Sequence, residues 1–401
     1  MTPGRIIEKE QWESIPKESK DKEVLSRPSM TYWQDAWRRL KKNYLAMLGL
    51  FFILAMALVA VVGPYVITHD YSTQELTLAN IPPSIDIYKV DDDTYFYLHS
   101  EYKLYNVTPE GVFTGRIKEV QNNLSDRNRV YDFNGNELIL DYSYASLKTD
   151  APGYVKGLKY KVLLNGEEIE PYDHVKNKSY LMGTDGRGSD LFARVVYGAR
   201  ISLLIAFIAT LVSFFIGALY GGISGYIGGL VDNVMMRIVD TIDVVPLLLY
   251  VILLSVIIGS GLKSIIIALG TVYWVGMARI VRGQVLSLKE QEFVLSARTI
   301  GASTFRILIR HLIPNAIGPI IVSMTMMIPS AIFTEAFLSF VGLGVNAPLA
   351  SWGTLASDAL SGLRSYPYQL FYPSAAISLT MLAFNFLGDG LRDALDPRLR
   401  K

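Results

Sequence analysis

Four histidines, no cysteine and a few charged residues inside apolar runs set the chemistry open to this chain. The lack of cysteine excludes disulfides, thiolate nucleophiles, iron–sulfur clusters and cysteine-based zinc sites. Ser224, in Gly222-Ile223-Ser224-Gly225, raises the question of serine hydrolysis inside a membrane. That chemistry needs a base beside the serine, and His69, His99, His174 and His311 all fall outside the apolar runs. No His-Glu-x-x-His is present, which leaves an intramembrane zinc peptidase unsupported. Gly259-Ser260-Gly261-Leu262-Lys263-Ser264 resembles a phosphate loop only in part. It lacks the glycine before lysine and the spacing that lets backbone N–H groups cradle phosphates. The chain is therefore expected to bind no cofactor and to catalyse nothing itself.

What remains is charge in or near apolar segments: Arg237, Asp240, Asp243 and Glu335. A charge deep in a bilayer costs about 3 kcal/mol or more, so it faces protein or water. Arg237 and Asp240 stand three apart, on one face of a helix, and form a candidate ion pair. Glu335 is a candidate for the lining of a pathway or for pairing with a partner subunit. A different signal is the ladder Gly217, Gly221, Gly225 and Gly229, whose four-residue spacing makes a smooth stripe for close helix packing.

The elements that must position these residues are membrane helices. Hydrophobic residues make up 51% of the 401 and charged residues only 19%, against about 25% charged in an average soluble domain. A bilayer core of about 30 Å needs roughly 20 apolar helical residues to cross it. About six such segments are predicted: 44–67, 201–227, 234–258, 264–280, 316–343 and 373–387. The long polar stretch before the first of them is unlike a cleavable secretory signal, so that run reads as a retained anchor.

Sidedness follows from the Lys/Arg excess of cytoplasmic flanks. Arg38, Arg39, Lys41 and Lys42 precede the first span. Arg279, Arg282, Lys289, Arg298, Arg306 and Arg310 cluster around the segment between spans four and five, and Arg392, Arg398, Arg400 and Lys401 follow the last. Both termini are thus expected in the cytoplasm. Arg187, Arg194 and Arg200 run against this bias, since they precede span two on the outer side.

Residues 69–180 form an insert between the first two spans, with 12 Lys/Arg against 18 Asp/Glu. Runs such as Thr94–Leu98, Glu137–Tyr142 and Tyr160–Leu164 are strand-like. Asn134-Gly135 and Asn165-Gly166 are expected to turn tight hairpins, because Asn-Gly tolerates positive φ.

Between spans four and five, residues 288–314 read as a helix, a turn at Gly301 and an amphipathic run, Ser303–Leu312, stopped by Pro314. Ser296-Ala297-Arg298-Thr299-Ile300-Gly301 through Leu312-Ile313-Pro314-Asn315 resembles the coupling-loop signature of binding-protein-dependent ABC importer permeases. Leu295 stands where that family usually has glutamate, and Ser296 replaces its first alanine. Further segments are similar to the C-type subunit of the dipeptide/oligopeptide group. They are Gly183-Thr184-Asp185-Gly186-Arg187-Gly188-Ser189-Asp190, Gly225-Tyr226-Ile227-Gly228-Gly229 with Asp232 and Pro246, Glu335–Gly344 with Ser351-Trp352-Gly353, and Asn385–Asp389 with Leu391–Arg398. The resemblance spans residues 182–399 and leaves the N-terminal tail and the insert uncovered.

The resemblance implies an all-α polytopic membrane protein of the type I ABC importer permease fold, to which the strand-like insert adds an extracytoplasmic β-rich domain. With the apolar runs and the strand pattern read above, the chain divides into a tail (1–43), a first span (44–67), the insert (69–180), a permease core (198–390) holding the coupling loop (284–314), and a C-terminal tail (391–401). The resemblance also implies a permease subunit for di- or oligopeptides in a bacterial plasma membrane. Partners would be a second homologous permease, two cytoplasmic ATPases that use ATP and Mg, and an extracytoplasmic peptide-binding protein, with no nucleic acid. Leu295, Ser296, Ala297, Gly301, Arg306, Leu312 and Pro314 would dock on the ATPase. Relatives that carry nickel or sugars, and a self-contained carrier or channel, are the alternatives.

Overall fold

The computed structural model describes residues 31–146 and 154–396. Most of the 1–43 tail, and Arg398, Arg400 and Lys401 of the charge argument, lie outside them.

Among the described residues, eleven α-helices and a π turn make up most of the helical part. Helix α1 (Tyr32–Leu40) precedes the first span, α2 (Tyr44–Val66). After the insert come α3 (Leu191–Ile227), α4 (Gly229–Val244), α5 (Leu247–Ile258) and α6 (Leu262–Leu288). Short helices α7 (Glu292–Thr299) and α8 (Thr304–Ile307) lead through a π turn (Leu308–Leu312) into α9 (Ile313–Phe340). Helices α10 (Trp352–Ala359) and α11 (Pro367–Leu395) complete the chain. Among the described residues, five helical stretches are long and apolar enough to cross a membrane, and the α4–α5 pair, bent by 81°, makes a sixth when the two are taken as one span.

The bend corrects the expected straight span 234–258. Val245 is extended (φ −76°, ψ 120°) and Pro246 follows it, as the clash of a proline ring with the preceding residue requires. That the pair still crosses follows from the packing of its neighbours. Along α3, Gly217 meets Trp274 and Met277, Gly221 meets Ala278, and Gly225 meets Arg282 and Val285. Both residue numbers rise together, so α3 and α6 run parallel, and the chain between them must return across the membrane.

One further expectation changes. Pro314 was expected to stop the helix that begins at Ser303, yet the helix continues into α9. The π turn just before Pro314 widens the backbone where proline supplies no N–H, and Asn315 Nδ2 donates to the carbonyl of His311 at 2.6 Å. Within the N-terminal tail, α1 is helical, started by a capping box in which Thr31 and Gln34 satisfy each other's backbone N–H groups.

The insert is two five-stranded antiparallel sheets. The first has the order β10-β1-β2-β3-β4, from Ser84–Lys89 (β1), Tyr95–Leu98 (β2), Leu104–Val107 (β3), Phe113–Ile117 (β4) and Asp173–Lys176 (β10). The second runs in sequence order through Gln121–Asn123 (β5), Asn128–Phe133 (β6), Asn136–Asp141 (β7), Lys161–Leu164 (β8) and Glu167–Glu168 (β9). Asn134 and Gly135 take φ of 53° and 96° and close the pair Phe133–Asn136; Asn165 and Gly166 do the same for Leu164–Glu167. Tyr88, Phe96, Leu98 and Leu104 of one sheet pack on Tyr131, Phe133, Leu138 and Leu140 of the other.

The insert is seated on the membrane part by hydrogen bonds. Tyr368 of α11 donates to the carbonyls of Ile81 and Thr184 at 3.0 and 2.9 Å, and Gln369 donates to Asn80 at 2.9 Å. The basic residues that ran against the charge bias belong to this collar. Buried Arg194 is bonded to Asp185, and Arg187 faces Asp358 at 3.7 Å. Paired in this way, Arg187 and Arg194 weigh less as free positive charge outside, whereas Arg200 is exposed and has no ion pair among the described residues.

Candidate functional site

The segment between α6 and α9 forms an elbow with two different faces. Its turn is built by Gly301, whose φ of +83° places it in the left-handed region. There the N–H of Ala302 reaches the carbonyl of Ala297 at 3.1 Å and closes the end of α7. The inner face buries Val294 and Ala297 with Ile307, Leu308 and Leu312, against Met277, Val281 and Val285 of α6 and Ala218 of α3. Leu308 fills the space over Gly222 of α3. Arg298 lies over the ring of Tyr226, at the end of α3, 5.5 Å from its centre.

The outer face exposes large apolar side chains among charged ones such as Glu292, Arg306 and Arg310. Ile300 is 85% and Phe305 69% exposed, and Phe293, Leu295 and Ile309 share that surface. Of the residues singled out from the sequence, Leu295, Ser296, Gly301, Arg306 and Pro314 lie on the exposed side, whereas Ala297 and Leu312 belong to the buried one. An elbow packed on α3, α6 and α9, with a bare apolar cap, can accept another protein and pass its movement to three spans at once.

Glu335 takes a place other than the expected one. It is fully buried, near the insert end of α9. Its carboxylate accepts from Ser351 at 2.6 Å, Ser339 at 2.8 Å and Ser202 at 3.2 Å. Ser202 also accepts from the backbone N–H of Trp352 at 3.1 Å, and the Trp352 indole donates to the Val195 carbonyl at 2.9 Å. Glu335 therefore joins α3, α9 and α10 from inside and lines no open path. A carboxylate with three hydroxyl donors satisfies the requirement that buried charge be hydrogen-bonded.

The Arg237–Asp240 pair is likewise corrected. Asp240 is bonded to Arg279 of α6 at 3.0 Å, and Asp243 to the same guanidinium at 2.7 Å. Arg237 is exposed and has no ion pair among the described residues. The cause is the course of α4, which lies obliquely across α6. Asp232 near its start meets Arg282 at 2.6 and 2.7 Å, and Asp243, eleven residues on, meets Arg279, one turn of α6 away. One planar fork bridging two carboxylates outcompetes a flexible neighbour on the same helix. The sequence contains all of these charges, but nothing in their spacing ties α4 to α6.

Three of the four ladder glycines lie against α6. A Cβ on Gly217, Gly221 or Gly225 would overlap Met277, the Ala278 backbone or the Arg282 carbonyl. Gly229 does not join them. It begins α4 after the break at Gly228, with φ +61° and open space around it.

Comparison with known proteins adds an independent line. The profile described as "Binding-protein-dependent transport system inner membrane component" matches residues 215–401, and that described as "N-terminal TM domain of oligopeptide transport permease C" matches residues 31–83. The dipeptide transport system permease protein DppC of Bacillus subtilis (strain 168) is 41% identical, over 96% of this chain and 91% of that protein. The oligopeptide transport system permease protein OppC of the same organism is 40% identical, over 98% of this chain and 99% of that protein. A solved chain of the MetNI methionine ABC transporter in an inward-facing conformation shares 18% identity with a TM-score of 0.43, covering 50% of this chain and 96% of that one.

Proposed function

This chain belongs to the family of binding-protein-dependent transport system inner membrane components, and from that premise we propose that it moves short peptides across the membrane as one half of a permease pair. It is a multi-pass inner-membrane permease subunit of the dipeptide and oligopeptide group. Carriage of nickel or sugars and action as a self-contained channel are not favoured, because its near-full-length relatives are named peptide permeases.

The observation that carries the mechanism is the two-faced elbow. In our reading its exposed cap, Phe293, Leu295, Ile300 and Phe305, sits in a groove of a cytoplasmic ATPase. Leucine in place of the family's usual glutamate at 295 makes that contact more apolar. Closure of two ATPases on bound ATP pulls the elbow, and Val294, Ala297 and Leu308 pass the pull to α3, α6 and α9. The ligand-driven shift depends on ATP binding one of the two states more tightly. The charged crossing of α4 and α6 lies at the same end of the bundle, where a half-exposed Arg279 with Asp240 and Asp243 suits a watery mouth rather than lipid. The helix ends at Tyr32 and Leu395 and the elbow share this face, and its excess of Lys and Arg supports a cytoplasmic placement. The insert, on the opposite face, helps to seat an external peptide-binding protein.

The test is reconstitution. Vesicles holding this chain with a second permease, two ATPases and the binding protein are expected to take up labelled peptide only with ATP. Full-speed uptake by this chain alone, without nucleotide, would overturn the reading. Deletion of residues 84–175 is expected to lower uptake at limiting binding protein, and unchanged uptake would remove the role given to the insert.

A further inference from the structure

Away from the elbow, where α1 meets the end of α11, lies a cavity of about 540 Å³, lined by Arg39, Lys42, Asn43, Tyr44, Gly390 and Asp393 among others. Its floor is the crossing of α2 and α11, where a Cβ on Gly390 would overlap the Ala46 side chain.

The level of this cavity is that of lipid headgroups. It lies where the first span begins, and Tyr44 (88%) and Leu45 (54%) already expose apolar surface. Trp33 and Trp37 stand exposed on α1, and Lys41 lies over the Trp37 ring at 5.2 Å. Aromatic and basic residues on a short amphipathic helix beside a span are the signature of the water–bilayer boundary.

The charges of the cavity specify more than an anion. Arg39 is bonded to Asp35 at 2.6 Å and to the Asp396 carbonyl at 3.3 Å, with its Nε buried and unpaired. The side chains of Lys42 and Asp393 have no hydrogen-bond or ion-pair partner among the described residues, although both line the cavity. Asn43 uses its Oδ1 to cap α2, at 3.2 Å from the Ala46 N–H, which leaves its amide nitrogen for an acceptor. Free charges of both signs in one cavity complement a zwitterion better than a simple anion.

We propose that this cavity holds the headgroup of a phospholipid carrying a phosphate and a primary amine, of the phosphoethanolamine type. Lys42 and Asn43, backed by Arg39, take the phosphate, and Asp393 takes the ammonium. The acyl chains run along the exposed apolar face of α2 that begins at Leu45 and Leu48. A lipid so placed ties α1 and the ends of α2 and α11 together.

The experiment is native mass spectrometry of the full chain, purified in detergent and offered equal amounts of phosphatidylethanolamine, phosphatidylglycerol and phosphatidylcholine. Retention of the ethanolamine lipid above the other two is expected. Lys42→Gln should cut its retention about fivefold, the factor that one cation near a membrane surface is worth. Asp393→Asn should remove the preference over the choline lipid, whose quaternary nitrogen donates no hydrogen bond, while Arg38→Gln, outside the cavity, should change nothing. Both tested side chains are exposed, and comparison of the three lipids on the unaltered chain decides the question even where a variant misfolds. Equal retention of the three lipids would overturn the proposal, as would retention unmoved by both variants. Displacement of the lipid by free phosphoethanolamine at equal concentration would overturn the lipid assignment in favour of a soluble ligand.

Discussion

Gly221 of α3 lies directly against the backbone of Ala278 in α6, with no room for a Cβ between them. This contact is the centre of a parallel helix pair whose shared line runs from Gly217 to Gly225. In a bilayer, where apolar surface gains nothing by leaving lipid, such close approach holds helices together through dispersion and backbone proximity.

Gly221→Val is expected to force the two helices apart and to cost about 1–3 kcal/mol, the usual range for overpacking. The measurement is thermal unfolding of the purified chain in detergent. Gly276→Ala, on α6 but with open space at its Cα, is the control. It should be neutral, or stabilising by up to about 1 kcal/mol through helix propensity. Equal melting of the two variants would show that the α3–α6 contact is not held by this stripe.

The buried carboxylate of Glu335 organises three hydroxyls. Its replacement by leucine leaves Ser202, Ser339 and Ser351 without their acceptor. A loss of about 3 kcal/mol is expected, within the range for breaking a buried hydrogen-bonded charge. Glu335→Gln keeps two polar atoms in place and should lose less. A melting temperature lowered for leucine and largely kept for glutamine supports a structural role. Unchanged melting, with altered peptide uptake, would return Glu335 to the pathway.

At the elbow, fold and docking separate cleanly. Ile300→Glu and Phe305→Glu change only the exposed cap, so melting should move by less than about 0.5 kcal/mol, as at most surface positions. Peptide uptake and co-purification of the ATPases should fall at least about tenfold, the size expected of central apolar anchors. Ala297→Asp places a charge on the buried face instead, and is expected to lower stability and uptake together. ATPase retention by the Phe305→Glu variant at the original level would sink the docking surface.

Within the insert, His99 is held neutral by its surroundings. Its Nε2 lies 2.7 Å from the Ala79 carbonyl, its Nδ1 accepts from the Glu101 N–H, and burial pushes its pKa below the ordinary 6.5. Because the folded value lies below the unfolded one, the unfolded chain takes up its proton first as pH falls. Stability is therefore complete above about pH 6.5 and declines through the interval down to the depressed value. Hydrogen-exchange protection of peptides from β1 to β4, taken relative to the intrinsic exchange rate at each pH, should fall between pH 7.5 and 5.5, and His99→Gln should flatten that dependence. Identical pH profiles for the two proteins would assign the acid sensitivity, if any, to other groups.

The number of crossings, the β character of the insert and the elbow were all readable in the order of residues, because each is a local property. Apolar run length selects a span, Asn-Gly selects a hairpin turn, and Gly301 ends a helix through its own φ. Nothing local could show that Asp240 turns to Arg279 rather than to Arg237, or that Glu335 faces three serines instead of a path. Those partners lie 39 and up to 133 positions away in the chain, and only the packing of helices decides which side chains meet. The passage of α9 across Pro314 and the bend at Pro246 lie between these cases. Each proline announces a missing N–H, and its neighbours in space determine whether the helix adapts by a π turn or breaks.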